Sequence, residues 1–152
     1  MTPMAPTAFI SKTVFDPAHP ESLAVYCSDG RFTQSVEELL SHLGYATLDT
    51  LTLPGGPALL SSATSYAERE SMSRAAAFLI VGHAIRHVVL IAHAGCGYYR
   101  DRYPGESVES IEARQLADLA SARRALELAH PSLHVRTQYL RVVGKQVRFD
   151  EH

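Results

Sequence analysis

The chain contains two cysteines, Cys27 and Cys96, and each follows an apolar, β-branched run of residues. His93 lies three residues before Cys96, so one turn can present both side chains to a single ion. Zinc binds thiolate and imidazole readily, and three protein ligands with one free position are typical of catalytic zinc sites. Taken singly, the residues are better explained as a buried strand cysteine and a satisfied histidine. Taken together, they predict a zinc site.

An acidic and a basic residue, Asp29 and Arg31, lie directly after Cys27. At this spacing the two side chains can form a charge-assisted, even bidentate, hydrogen bond. The plainer explanation is a salt bridge at a strand end, which is worth little when exposed. Beside a metal, Asp29 has two further uses: it is a fourth ligand, or it accepts a hydrogen bond from metal-bound water. Arg31 decides between these uses by binding or releasing the carboxylate.

Strand and helix patterns alternate along the chain. Elements are predicted from apolar runs, from apolar periodicity and from the glycine and proline residues that end them. Strands are predicted over 23–28, 46–53 and 87–92, helices over 35–43, 62–86 and 107–129, and a hairpin over 133–142 and 146–149. This order predicts an α/β fold with a mostly parallel central sheet, flanking helices and a C-terminal antiparallel edge hairpin. The carboxyl ends of such strands are where ligands collect, and both motifs lie there.

Four local features refine this prediction. Ser35 and Glu38 have the spacing of a capping box at the start of the first helix. The long helix is apolar over 75–81, so we expect it to be buried across the sheet or between subunits. A rigid Pro-Gly-Gly-Pro turn is predicted over 54–57. The segment 95–105, rich in tyrosine and arginine, is expected to be a loop, whose Arg100 and Arg102 either attract an anion or are simply solvated.

One domain spanning 1–152 is expected from the length, with an N-terminal arm over 1–20. The arm is rich in proline and contains four apolar side chains, namely Phe9, Ile10, Val14 and Phe15. It cannot bury them alone, so we expect it to pack on the domain or on a partner subunit; the alternative is a partly disordered terminus. The arm and the apolar helix together predict a homodimer or a higher even oligomer.

Composition excludes several functional classes. The formal net charge is −2, which gives no electrostatic case for nucleic acid. No apolar run approaches the length of about 18 residues that a membrane helix needs. The N-terminal residues lack the apolar core of a signal peptide, so we expect a cytoplasmic protein. In that reducing compartment two cysteines are more often metal-binding, catalytic or free than a disulfide.

Cys27-Ser-Asp-Gly-Arg31, followed by His93-Ala-Gly-Cys96-Gly97 after an apolar strand, resembles the β-class carbonic anhydrases. That family has Cys-x-Asp-x-Arg and His-x-x-Cys-Gly in this order. The motifs cover 23–31 and 79–97, and the element order covers most of 21–150. The resemblance implies zinc bound by Cys27, His93 and Cys96, an Asp29–Arg31 dyad and a dimer. It implies a lyase that interconverts carbon dioxide and bicarbonate, with zinc acidifying a water that Asp29 orients or deprotonates.

The chain departs from the family pattern near the expected pocket. Gly30 stands where these enzymes commonly have serine, and Leu-Pro-Gly-Gly-Pro at 53–57 replaces their usual Arg-Asn-Ala-Gly segment. The pocket glutamine that many members receive from a partner has no counterpart that we can place. Two other functions therefore stay open: a hydrolase of a carbon dioxide analogue such as carbonyl sulfide, and a non-catalytic zinc-binding module. The remaining histidines lack ligand spacing and are expected to be surface or satisfied residues.

Overall fold

A computed structural model describes residues 7–45 and 47–152, which contain one five-stranded sheet. Its strands are β1 (Ser22–Cys27), β2 (Asp49–Leu53), β3 (His87–His93), β4 (His134–Val143) and β5 (Gln146–Glu151). They lie in the order β2-β1-β3-β4-β5. All neighbours are parallel except β5, which runs antiparallel to β4 and forms the predicted edge hairpin. The predicted α/β fold class is confirmed.

Helices cover both faces of this sheet. They are α1 (Thr33–His42), α2 (Tyr66–Gly82), α3 (Gly97–Arg102) and α4 (Val108–Ala129), with a 3-10 helix over Gly56–Leu60. None of the described helices is both long enough and apolar enough to cross a bilayer. The strand side chains alternate between two apolar clusters. Val25 and Leu90 lie with α2 and α4, while Ala24 and Ile91 lie with α1.

The central strands explain why the sequence gives a buried parallel sheet. Every residue of β3 from Val88 to His93 is buried, as expected for a continuous apolar run covered on both faces. Each large aliphatic side chain buried there contributes roughly 1.5–3 kcal/mol to folding relative to an exposed position. The register places Tyr26 opposite Ile91, so β1 and β3 reach the same edge together. Cys27 and His93 therefore end adjacent strands.

Two helix starts differ from the sequence-based prediction. The turn after β1 is closed by the Phe32 N–H, which donates to the Asp29 carbonyl at 3.1 Å, and α1 begins directly from it at Thr33. Ser35 therefore lies inside the helix, and the predicted capping box is wrong. A side-chain N-cap forms instead at α2, where Ser65 Oγ accepts from the Glu68 N–H at 3.3 Å and donates to the Glu68 carboxylate at 2.7 Å.

The apolar stretch of α2 is only partly buried. Met72, Ala76 and Ile80 face the sheet at a spacing of four residues, whereas Phe78 and Val81 are each 73% exposed. The prediction that the whole stretch is buried across this chain's own sheet is therefore wrong. One helix face meets the sheet, and the opposite face remains available to a second subunit.

The arm and the loop after β3 also differ from the simplest expectation. The arm's four apolar side chains are 85% to 91% exposed, so the described part of the arm does not bury them on its own domain. Residues 1–6 of the predicted arm lie outside the described residues. The predicted loop over 95–105 contains the short helix α3, which begins directly after Cys96.

Candidate metal centre

Three donor side chains converge at the carboxyl edge of the sheet. The ligand atoms of Cys27, His93 and Cys96 all lie within 4.8 Å of one another. Cys27 ends β1, His93 ends β3, and Cys96 is the residue that precedes α3. His93 and Cys96 are buried, while Cys27 is half-buried. The fold therefore brings Cys27 together with a His93–Cys96 pair, although Cys27 and Cys96 are 69 residues apart in the sequence.

The separation of the sulfur atoms fits a tetrahedral zinc ion. Zinc–sulfur bonds of about 2.3 Å at a tetrahedral angle place two sulfur ligands about 3.8 Å apart. In this structure Cys27 Sγ and Cys96 Sγ are 3.9 Å apart. Both residues are free cysteines, so neither sulfur is engaged in a disulfide.

His93 has an unused nitrogen that faces this group. Its Nδ1 lies 2.9 Å from the Ala94 carbonyl oxygen, which can only accept a hydrogen bond. Nδ1 therefore carries the proton of the neutral ring, and Nε2 carries the lone pair. Among the buried side-chain nitrogen and oxygen atoms of the described residues, only Nε2 of His93 lacks a hydrogen-bond partner. A metal-binding histidine usually donates its other ring N–H to a carbonyl or carboxylate. The orientation of His93 therefore fits a metal ligand.

Charge also favours a cation at this point. The hydrogen bond from Cys96, together with contributions from His93 and two backbone amides, lowers the pKa of Cys27 to about 4 although burial opposes the shift. The neighbouring Cys27 and burial raise the pKa of Cys96. The two thiols therefore resist ionising together. A divalent cation removes this conflict, because it compensates two thiolate charges.

Backbone amides near both sulfur atoms favour the thiolate forms. Those of Gly55 and Asp29 help to lower the pKa of Cys27, and those of Tyr98 and Tyr99 oppose the rise in the pKa of Cys96. Gly56, in the predicted Pro-Gly-Gly-Pro turn, lies so close to β1 that a Cβ there would be 2.7 Å from the Cys27 nitrogen, so this turn packs on a ligand residue. The paired glycines are visible in the sequence, but only the fold shows that they lie against Cys27.

Asp29 and Arg31 form the expected bidentate pair. Arg31 Nε lies 3.0 Å from Asp29 Oδ1, and its Nη2 lies 2.6 Å from Oδ2. The Arg31 backbone N–H also donates to Oδ1 at 3.1 Å. These contacts lower the pKa of Asp29 to about 2. Within the described residues, the three-donor group does not include Asp29, so its role as a fourth ligand stays a prediction.

Solved β-carbonic anhydrases share this architecture over most of both chains. One from Trichomonas vaginalis superposes with a TM-score of 0.56 at 12% identity, covering 91% of this chain and 87% of that one. A tetrameric enzyme from Sordaria macrospora gives 0.55 at 14% identity, with coverages of 86% and 80%. One from Aspergillus fumigatus gives 0.54 at 17%, with 87% and 76%. This chain has the β-carbonic anhydrase fold.

The likeness lies in the structure rather than in the sequence. No family model matches the chain, and no curated protein matches it. At these identities the comparison shows the fold alone. The β-carbonic anhydrase fold explains why the two motifs meet at one edge of the sheet, and the chemistry must be argued from the side chains.

One residue that the sequence analysis missed positions His93 within this β-carbonic anhydrase fold. The side chain of Gln115, on α4, donates to the His93 carbonyl oxygen at 2.7 Å. Tyr139 of β4 donates its hydroxyl to Gln115 Oε1 at 2.7 Å. Both side chains are fully buried. The only sequence signal is a polar residue on the apolar face of a helix, which does not identify its partner.

The two arginines of the segment 95–105, which were predicted either to attract an anion or to be solvated, differ in their surroundings. Arg102 donates to Tyr98 at 2.7 Å and to Glu68 at 3.2 Å, so it is engaged rather than solvated. Arg100 is exposed. Elsewhere, His83 lies 2.5 Å from Asp49 through Nδ1. In the part of the chain that the structure describes, no histidine other than His93 belongs to a group of three metal-binding donors.

Proposed function

We propose that this chain is a zinc-dependent carbonic anhydrase, a lyase that interconverts carbon dioxide and bicarbonate. One observation carries the proposal: Cys27, His93 and Cys96 meet with metal-ligand spacing at the carboxyl edge of a β-carbonic anhydrase fold. The Asp29–Arg31 pair beside Cys27 adds the second part of the resemblance. The proposal treats residues 1–152 as a single zinc-binding domain.

In this mechanism Cys27, His93 and Cys96 bind zinc, and Asp29 and Arg31 serve the reaction. Bound zinc supplies the Lewis acidity that makes water a nucleophile at moderate pH. Arg31 fixes the Asp29 carboxylate through its planar fork and so sets its orientation. Oδ1 accepts from both the Arg31 backbone N–H and Nε, whereas Oδ2 accepts from the guanidinium alone. Oδ2 is therefore the oxygen through which Asp29 can still orient the nucleophile or receive its proton.

The turn over 54–57 motivates the second candidate function, a hydrolase acting on a carbon dioxide analogue such as carbonyl sulfide. In this chain the turn packs on Cys27 through Gly56, and Gly55 lies directly against the Tyr98 ring. A pocket built on this turn differs from one lined by the family's usual Arg-Asn-Ala-Gly segment. The third candidate is a non-catalytic zinc-binding module.

Parallel assays separate these three functions. Zinc-loaded protein is tested for carbon dioxide hydration by stopped flow and for carbonyl sulfide hydrolysis. Faster hydration than hydrolysis supports the proposed carbonic anhydrase. The reverse preference supports the hydrolase. Zinc binding without either activity supports the non-catalytic module and contradicts the proposal.

Metal content provides the first test of the site. We expect one zinc per chain in freshly purified protein, because two thiolates and an imidazole form a soft ligand set. Cys96→Ser is expected to lose most of it. His87→Ala, at the opposite end of β3, is the control and should keep a full complement. Elemental analysis that finds no zinc in unchelated wild-type protein would contradict the site and the enzyme proposal with it.

Assembly provides a second test. We propose a homodimer or a higher even oligomer, because Phe9, Phe15, Phe78 and Val81 are all largely exposed in the single chain. Burying such side chains in an interface is favourable by roughly 1.5–3 kcal/mol each. Light scattering at micromolar concentration should give an even multiple of the chain mass, and Phe78→Ser should weaken the assembly. A monomeric wild-type protein would contradict this prediction.

A further inference from the structure

A carboxylate is buried on α4, close to the ligand-bearing segments. Asp118 is 9% exposed, and its two oxygens accept hydrogen bonds from two hydroxyl groups. Ser61 Oγ donates to Oδ1 at 2.6 Å, and the Tyr99 hydroxyl donates to Oδ2 at 2.5 Å. Burying a carboxylate is costly unless it is hydrogen-bonded, so these two contacts fix the positions of Asp118, Ser61 and Tyr99 relative to one another.

The Tyr99 side of this contact leads to Cys96. Tyr99 belongs to α3 and is buried. Cys96 directly precedes α3, and its side chain lies in one buried cluster with Tyr99 and Ala58. The hydrogen bond of the Tyr99 hydroxyl therefore fixes the short helix that begins directly after Cys96.

The Ser61 side leads to Cys27 through the 3-10 helix. Ser61 is buried, and its N–H donates to the Ala58 carbonyl at 3.1 Å. The Ala58 N–H donates to the Gly55 carbonyl at 3.1 Å, and Cys27 packs against the buried cluster that contains Ala58. Gly56, in the same turn, lies so close to β1 that a Cβ there would be 2.7 Å from the Cys27 nitrogen. Two consecutive hydrogen bonds therefore connect Ser61 with the turn that packs on Cys27.

We propose that Asp118 is a positioning residue of the metal site: through Ser61 and Tyr99, its buried carboxylate joins the turn that packs on Cys27 to the helix that begins directly after Cys96. Its role is to keep both sulfur atoms at metal-binding separation, and it contacts neither metal nor substrate. The inference rests on the metal site of the proposed function and is independent of which substrate the site converts.

The test measures how well the site retains metal, without using activity. Zinc-loaded Asp118→Ala and wild-type protein are mixed with a chelating dye, and the zinc release rate is recorded. Cobalt(II) derivatives are compared through their thiolate-to-cobalt charge-transfer bands. Loss of residues that orient metal ligands typically weakens metal binding about 10- to 100-fold. We expect release at least about tenfold faster and an altered charge-transfer band, with Asp118→Asn giving a smaller effect.

Leu126→Ala is the matched control. Leu126 lies on the same buried face of α4, two turns farther along and about 12 Å away along the helix axis. Truncating it leaves a cavity that destabilises the core, without touching the hydrogen-bonded groups. Its zinc release and cobalt spectrum are expected to match the wild type. Release as fast as that of Asp118→Ala would show a general stability effect and overturn the proposal.

Two further variants keep the test decisive if Asp118→Ala does not fold. Ser61→Ala and Tyr99→Phe each remove one hydroxyl and leave the backbone amides in place, and each should speed zinc release. Wild-type release rates in both variants would overturn the inference even if the protein hydrates carbon dioxide. Faster release in a protein without hydration activity would support the inference while contradicting the proposed function. A wild-type protein that binds no metal would overturn both.

Discussion

Asp29→Asn is expected to slow carbon dioxide hydration by about 10²- to 10⁴-fold at every pH tested, the range for loss of a positioned acid–base group. An amide keeps the size of the side chain but cannot receive a proton at neutral pH. It also loses the negative charge that strengthens the bidentate hydrogen bonds with Arg31. Stopped-flow hydration assays over a range of pH measure the effect, with zinc content determined in the same samples.

The opposite result has a specific meaning. If Asp29 closes the site as a fourth ligand, its replacement opens a coordination position and raises activity near neutral pH. We favour the loss of activity, because both oxygens of Asp29 are hydrogen-bonded to Arg31. Increased hydration in a fully zinc-loaded variant would show that the acid–base assignment is wrong.

The chain contains a matched control for this substitution. Arg148 and Asp150, on β5, are also two residues apart and also paired, with Arg148 Nε 3.0 Å from Asp150 Oδ1. Asp150→Asn removes the same charge from a similar pair outside the metal site and should leave hydration unchanged. Arg31→Lys tests the bidentate hydrogen bonding to Asp29 separately, because lysine keeps the positive charge but cannot donate two parallel hydrogen bonds to one carboxylate. It should lower the rate by a smaller factor than Asp29→Asn.

The sequence predicts the sheet and the three-donor group because both depend on local patterns. Continuous apolar runs define the buried strands, and the motifs follow those runs directly. Parallel strands share one carboxyl edge, so Cys27 and His93 lie close together when their strands are neighbours. In the structure β1 and β3 are neighbours. Whether the three residues bind zinc in solution is decided by metal analysis.

Features that depend on tertiary partners could not be predicted. Gln115 and Asp118 are polar residues on a buried helix face, and only the fold shows which groups they contact. Phe78 lies in an apolar stretch, but hydrophobicity alone does not tell which side of a helix meets the sheet. Ser35–Glu38 and Ser65–Glu68 both have the spacing of an N-terminal cap. Only Ser65 lies directly before its helix, because the turn after β1 starts α1 two residues before Ser35.

Gly56→Ala is expected to be among the most destabilising single substitutions at the site, at about 3–5 kcal/mol. Gly56 has φ of +48°, and a Cβ there would lie 2.6 Å from the Tyr26 carbonyl carbon and 2.7 Å from the Cys27 nitrogen. Strain at a left-handed residue costs about 1–3 kcal/mol, and overpacking a buried position costs about as much again. The obstructing atoms belong to a central strand, so side-chain rotation cannot relieve the contact.

The same substitution should also weaken metal retention. Moving the turn away from β1 removes the packing that fixes the backbone of Cys27, so faster zinc release should accompany the lower stability. Urea unfolding and transfer of zinc to a chelating dye measure the two effects. Gly55→Ala should be milder, because its Cβ would meet the Tyr98 ring, a side chain, at 2.6 Å.

Gly30→Ala is the control next to the same ligand. Gly30 lies three residues after Cys27, and no atom lies within 4 Å of the position that its Cβ would occupy. Its stability should change by no more than about 0.5 kcal/mol, as for most exposed positions, and zinc release should be unaffected. If Gly56→Ala matches Gly30→Ala in both measurements, the close approach of the turn to β1 does not support Cys27, and zinc retention depends on the three ligands and their other contacts.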